Sequence, residues 1–220
     1  MQSGASISRI TCEHYHSTFA IGNPSPRLSW RFSGDAANWT QSSYEIEIFR
    51  FRAKSVRHFR VESASSVLVP WPDLPLESRE RVCLQVKANG TDQFQDTAWF
   101  KIDIEMGFVS PADEFTGRPI SCPTRPLGLP KRPFLVRQSF RLSTPVDTAR
   151  LSVTALGLYE MEINGVRVGD QLLAPGWTSY KHRLELQTYD VTDLLIVGEN
   201  VIGGHVAEGW YCGRFGFEGM

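Results

Sequence analysis

Through the N-terminal half of the chain, apolar side chains recur at every second position. In "SYEIEIFR", Tyr44, Ile46 and Ile48 share one face while Glu45 and Glu47 take the other. "RVCLQVKA" sets Val82, Leu84, Val86 and Ala88 against Arg81, Gln85 and Lys87, and "WFKIDIE" does the same with Phe100, Ile102 and Ile104. A period of two belongs to a strand with one face in a core and the other in water, so these segments read as half-buried antiparallel strands. "RLSWRFS" ahead of them and "SSVLVPW" between them read as further strands. Short strands broken by turn signals predict a β-sandwich, and residues 1–105 match the usual size of roughly 100 residues for one.

The pattern then stops. Residues 106–133 carry prolines at 111, 119, 123, 126, 130 and 133 and alternate with nothing. Proline supplies no ladder donor, so this stretch is expected to be a linker lying over a surface. Alternation resumes over residues 134–220, beginning with Phe134, Val136, Phe140 and Leu142 in phase. Tyr159, Met161 and Ile163 alternate with Glu160 and Glu162; Asn164-Gly165 follows, and Val166 and Val168 resume the apolar face. Asn-Gly between alternating runs specifies a two-residue type I′ hairpin, because both turn residues need positive φ. "RLELQTYDV" and "NVIGGHVAEGW" are read as two more strands, and "VTDLLIVGEN" offers only a short turn starting at Thr192 or Asp193. The expected class is all-β.

Composition narrows the function. In 220 residues, 41% are hydrophobic and the formal net charge is −1 with Lys and Arg scattered, so nothing recruits nucleic acid or an anionic membrane by charge. Cys12, Cys83, Cys122 and Cys212 form no CxxC pair and are too sparse for a disulfide scaffold, although an oxidising compartment would allow two remote bridges. The first twenty residues hold no apolar run like that of a signal peptide, and no stretch approaches the roughly 18 apolar residues of a membrane span. The expectation is a cytoplasmic chain with free thiols and no cofactor. Asn38-Trp39-Thr40 and Asn89-Gly90-Thr91 fit the glycosylation sequon but would be chance matches in such a chain.

Candidate chemistry is thin. Cys12, His14 and His16 would share a face if "TCEHYHS" were extended, but a tetrahedral metal site needs a fourth ligand; an exposed edge strand is the expectation. Glu160 and Glu162 alternate with core residues and read as a solvated face rather than a glycosidase pair. Neither a nucleophile elbow nor a phosphate loop is present. Aromatics in turns remain: Trp177 and Tyr180 in "LAPGWTSY", and Trp210 and Tyr211 in "EGWYCGR", with Arg214 nearby. Sugar rings stack their C–H faces on aromatic planes, so Trp177, Tyr180, Trp210 and Arg214 are the candidate carbohydrate contacts, against the alternative that they plug a sandwich end.

The progression "ALGLYEMEING", "RVGDQLLAPGWTSY", "QTYDVTDLL", "GENVIG" and "EGWYCGRFGF", in that order over roughly residues 134–217, resembles the N-terminal β-sandwich of the α-L-rhamnosidase family of glycoside hydrolases. Upstream, "NPSPRLSWRF" and "SYEIEI" resemble the fibronectin-type-III-like module that opens many of these enzymes. The resemblance implies a fibronectin-type-III-like sandwich followed by a jelly-roll-like sandwich. It also implies a reaction, release of terminal α-L-rhamnose with inversion, whose carboxylates belong to a downstream (α/α) barrel. No helical periodicity for such a barrel occurs here, so no catalytic residue is carried over. A jelly roll wants about eight strands; residues 134–220 offer five or six, so the second sandwich is expected to be incomplete, cut short at Met220. The functional expectation is the accessory region of an α-L-rhamnosidase, inactive alone. The alternatives are a module that binds rhamnose-containing glycans without catalysis, and an interaction fragment that self-associates through an exposed sheet edge.

Overall fold

The computed structural model describes residues 4–15, 17–34, 38–91, 95–122 and 132–211. Among them are twelve strands, a four-residue helix and one turn of 3-10 helix, so the chain is all-β. It divides into two units, Met1–Gly117 and Arg118–Met220.

In the first unit, β1 (Ser6–Cys12) pairs antiparallel with β2 (Leu28–Ser33). A second sheet carries β3 (Gln41–Arg50), β4 (Ser55–Val61), β5 (Arg81–Gly90) and β6 (Phe100–Glu105) in the order β4-β3-β5-β6. The alternating residues do what their period demands. Ile46 lies opposite Val86, and Ile48 opposite Leu84, which lies opposite Ile102. Ile46, Ile48, Val82, Leu84 and Val86 are fully buried, in one cluster with Ile7, Ile10, Leu28 and Trp30 of the other sheet. Each such side chain contributes about 1.5–3 kcal/mol on leaving water.

Where the period fails, a bulge is the reason. Gln41 falls in phase with the outward Glu45 and Glu47, yet it is buried, because the register shifts between Gln41 and Ser43. Inside, its Oε1 accepts from Trp30 Nε1 at 2.9 Å, and its Nε2 donates to the carbonyls of Ser63 and Ser65, both at 2.9 Å. The shift between Ile7 and Arg9 likewise lets Ile7 and Ile10, three apart, both face the core. That irregular spacing hid β1 from a period-two reading. β4, also unexpected, is one edge of this sheet and exposes Arg57, His58 and Arg60, the charged dressing that discourages edge pairing.

Two expectations are corrected here. "SSVLVPW" is not a strand: it makes a single bridge, Leu28 to Val69, since Leu68 has φ 49° and Pro70 lacks a donor. It still delivers Val69 and Trp71 to the core. "TCEHYHS" is not an extended edge. Cys12 ends β1 buried, Glu13 turns with φ 49°, and Tyr15 N closes on Cys12 O at 3.0 Å, leaving His14 exposed. Glu13 is clamped by Arg27, whose hydrogen bonds hold its carboxyl below the usual range. His16 lies outside the described residues, and among those described no trio of His, Cys, Asp or Glu is placed for a metal.

Residues 106–115 are stitched to the first unit although the sequence places them in the linker. Met106 N donates to Glu80 O, Gly107 N to Ile21 O, and the short helix α1 (Pro111–Glu114) begins with proline at its first turn. Nearby, Arg50 bonds Asp73 and Glu80, and Arg57 also bonds Asp73, whose side chain is fully buried. Four charges thus tie the irregular stretch between β4 and β5 to the sheet.

The second unit has β7 (Phe134–Leu142), β8 (Arg150–Val153), β9 (Leu158–Ile163), β10 (Val166–Arg167), β11 (Gln187–Asp190) and β12 (Gly198–Ala207). They form the sheets β10-β9-β12-β7 and β11-β8. The Asn-Gly hairpin forms as expected, with φ 53° at Asn164, φ 80° at Gly165, and Ile163 opposite Val166. Val166, however, is 52% exposed, and only Val168 reaches the core with Ile163 and Val191. "RLELQTYDV" becomes a strand only over its last part, β11. Asn200, with no exposed surface, accepts from Asn164 Nδ2 (2.9 Å) and Ile196 N (3.0 Å) and donates to Ile196 O (2.7 Å). It locks the hairpin turn to the loop before β12. No helix among the described residues is long and apolar enough to cross a membrane.

Gln41→Leu would leave Trp30 Nε1 and two carbonyls without partners. Urea unfolding should show the first unit weakened by about 2–3 kcal/mol, while Glu62→Ala, at an exposed pair with Arg60, leaves the midpoint unchanged. Burial also pushes the Cys12 thiol from 9.0 up to about 12. The unfolded chain then releases this proton at lower pH than the folded one, so stability falls as pH rises past about 9. In the native chain Cys12 should resist iodoacetamide near pH 8 and react once urea exposes it.

Candidate functional site

The turn-borne aromatics of the second unit are positioned by a small polar knot. Tyr159, on β9, points inward and its hydroxyl donates to Gln187 Oε1 on β11; the Tyr189 hydroxyl donates to the same oxygen at 3.2 Å and lies 3.1 Å from Tyr159 Oη. Gln187 Nε2 donates to Pro175 O at 3.3 Å, and Tyr159 N donates to Ala174 O at 2.8 Å. Burial, aided by Tyr189, drives the Tyr159 phenol far above its usual pKa, so it stays a donor. The knot pins the start of "APGWTSY" against two strands and leaves Trp177, further along the loop, facing outward.

A close backbone crossing brings the second aromatic pair to the same place. Gly157 has φ 144°, and a Cβ there would lie 2.1 Å from Ala207 O. Gly209 has φ 53°, and its Cβ would lie 2.6 Å from Leu158 Cγ and 3.0 Å from Gly157 C. Only glycine at both positions permits the approach. It carries Trp210 and Tyr211 beside the loop that bears Tyr180, where the rings of Tyr180 and Tyr211 meet edge to face, centroids 5.4 Å apart at 80°.

Of the sequence-predicted contacts, Trp177 stands 70% exposed on its loop, Tyr180 is half-buried against Tyr211, and Trp210 is half-buried next to Tyr211 in the chain. Arg214 lies outside the described residues. Two further side chains join the site: Tyr211, which the sequence marked as a turn aromatic but not as a contact, and Arg183, which it did not mark. Tyr211 is adjacent to Trp210 in the chain, and only the geometry of the turn decides which of them faces Tyr180. Arg183, whose Nε donates to Thr178 Oγ1 at 3.0 Å and whose Nη2 lies 3.4 Å from Glu185, supplies a guanidinium on the same loop. An exposed indole, a tyrosine pair and hydrogen-bonding side chains together can stack a sugar face and bind its hydroxyls. Glu160 and Glu162 both face solvent on β9, Glu160 3.3 Å from Arg167. An open strand face excludes no water from a scissile bond.

Residues 7–110 match a family model described as the Rha78A-like N-terminal immunoglobulin domain, and residues 144–220 match the α-L-rhamnosidase N-terminal domain. This chain carries the N-terminal domains of the α-L-rhamnosidase family. An α-L-rhamnosidase of Formosa agariphila is 33% identical over 232 residues, spanning 96% of this chain and 25% of that protein. The crystal structure of native α-L-rhamnosidase from Aspergillus terreus aligns with a TM-score of 0.87 at 43% identity, covering 98% of this chain and 25% of that one. The α-L-rhamnosidase from Dictyoglumus thermophilum gives a TM-score of 0.79 at 25% identity, over 94% of this chain and 25% of that one. The chain therefore spans about a quarter of the length of these rhamnosidases. The motif pieces "ALGLYE" and "EGWY", far apart in the sequence, are in contact: Gly157 and Gly209 are where they cross.

Gly157→Ala should destabilise the second unit by at least about 2 kcal/mol, since it adds a backbone clash to a conformation that side chains rarely adopt. Gly165→Ala, with nothing within 4 Å of the new methyl, should cost only about 1 kcal/mol for its φ. Thermal unfolding followed by near-UV circular dichroism would rank the two.

Proposed function

We propose that these domains are the non-catalytic front part of an α-L-rhamnosidase polypeptide, a hydrolase of terminal α-L-rhamnose, and that the second unit offers a sugar-stacking surface. The reading is carried by one conjunction: the chain matches domains that fill a quarter of such enzymes, and Trp177 is exposed on the same loop whose Tyr180 packs on Tyr211. Inverting hydrolysis needs an acid and a base roughly 6.5–9.5 Å apart across a closed site. Glu160 and Glu162 do not fit that role, being neighbours on one open strand. The catalytic pair is assigned to another part of the polypeptide, and the accessory surface holds or orients the rhamnoside.

The purified chain should release no aryl alcohol from an aryl α-L-rhamnoside. Turnover that stays with the polypeptide through purification would sink the accessory reading. Calorimetric titration with L-rhamnose tests the surface. Heat of binding is expected from the parent chain and about tenfold weaker affinity from Trp177→Ala, equivalent to about 1.4 kcal/mol. A parent chain that binds nothing leaves these domains a purely structural role.

A further inference from the structure

Two tripeptides in the first unit have the form of an N-glycan acceptor, Asn38-Trp39-Thr40 and Asn89-Gly90-Thr91; Asn23-Pro24-Ser25 is disqualified by its central proline. Their local sequences do not separate them. The fold does. We propose that Asn38 is the site at which this chain is N-glycosylated in any compartment that holds the transferase, and that Asn89 is never occupied in the folded protein.

Asn38 lies exposed in the connection between β2 and β3, in a turn with φ 63°. Thr40, whose hydroxyl the acceptor chemistry requires, is exposed as well, its Oγ1 3.4 Å from Thr91 Oγ1. Between them Trp39 is anchored: its Nε1 donates to Gln95 O at 3.0 Å, and its ring packs on Phe32 with centroids 4.8 Å apart. Phe32, Trp39, Ala5, Ser33 and Gly34 line a hollow of about 150 Å³, so the residue next to the acceptor borders open space.

Asn89 has the opposite surroundings. It sits in β5 opposite Ser43 and is only 8% exposed. Its Nδ2 donates to Glu45 Oε1 at 3.2 Å and to Asp96 Oδ2 at 3.0 Å, so both amide protons are in use. Those carboxylates are engaged in turn, Glu45 with His58 at 2.9 Å and Asp96 with Lys87 at 2.9 Å. The two threonines nonetheless touch, and Thr91 N donates to Thr40 O at 3.1 Å. The sequons are thus neighbours in space that differ in the burial of one amide.

In the transfer, Asn Nδ2 attacks C1 of the first sugar of a lipid-pyrophosphate-linked oligosaccharide. One N–C bond forms, one C–O bond breaks, the amide gives up a proton, and the lipid pyrophosphate leaves. At Asn38 this puts a sugar in solvent. At Asn89 it would replace a proton already donated to a carboxylate and force a sugar into closed space, so a chain modified there before folding cannot complete β5 and its neighbours.

The full chain, expressed behind a secretion leader in a eukaryotic host, tests this with three variants: Asn38→Gln, Thr40→Ala and Thr91→Ala. The secreted parent and Thr91→Ala should each show a one-glycan mobility shift that peptide-N-glycosidase removes. Asn38→Gln and Thr40→Ala should show none. The enzyme converts an occupied asparagine to aspartate, so peptide mass spectrometry should find the conversion at position 38 only. An unshifted parent, a shift that survives Thr40→Ala, a two-glycan shift, or aspartate at position 89 would each overturn the assignment.

Discussion

Each unit is held at its least regular point by a buried amide side chain. An all-β chain must pass long irregular segments across the ends of its sheets, and any backbone group taken from water there needs a partner. In the first unit Gln41 meets that demand, binding the Trp30 indole and the carbonyls of Ser63 and Ser65 in one stroke. In the second, Asn200 does the same for the loop at Ile196 and for the hairpin turn at Asn164. Apolar pairing across the strands supplies the driving force, but it is nearly indifferent to which loop goes where. The amides make the choice, because an amide matched to the wrong carbonyls would be left buried and unsatisfied.

The same logic shapes the aromatic surface. Tyr159, Gln187 and Tyr189 form a closed set of hydrogen bonds that reaches the backbone at Ala174 and Pro175. The loop is tied by hydrogen bonds where it meets the strands and exposes Trp177 further along. A loop held in this way loses little conformational freedom when something packs on its outer face. In this region the motif residues do two separate jobs: Gly157 and Gly209 let the chain cross itself, and Tyr180 and Tyr211 meet at the position that the crossing creates.

Much of the architecture could be read from residue order. Period-two patterning located β3, β5 and β6 because each has one face in a core, and Asn164-Gly165 located its hairpin because few other pairs tolerate positive φ twice in succession. β1 escaped, since a bulge spaces its apolar residues by three. β4 escaped because an edge strand dressed with Arg57, His58 and Arg60 looks like a polar loop. "SSVLVPW" misled in the other direction: its apolar content is that of a strand, but Pro70 and the turn at Leu68 stop the ladder after one bridge. At the candidate site, Trp177, Tyr180, Trp210 and Tyr211 were legible as turn aromatics, whereas the Tyr180–Tyr211 contact and Arg183 were not, because nothing local says which side chain a turn will present.

The sequence alone determined that the chain is all-β, where its hairpin turns, and which family it belongs to, since these depend on local periodicity, local dihedral limits and the order of short motifs. Tertiary structure alone decided which polar groups lie inside and which of two equivalent-looking groups is accessible. Gln41 and Glu45 are in phase in the sequence, and a single bulge buries one and leaves the other half-buried on the outer face. Asn38 and Asn89 stand in the same tripeptide pattern, and only their neighbours make one free to react and the other a fixed donor to two carboxylates. Burial is a property of what packs against a residue, and the partners here come from strands and loops tens of residues away.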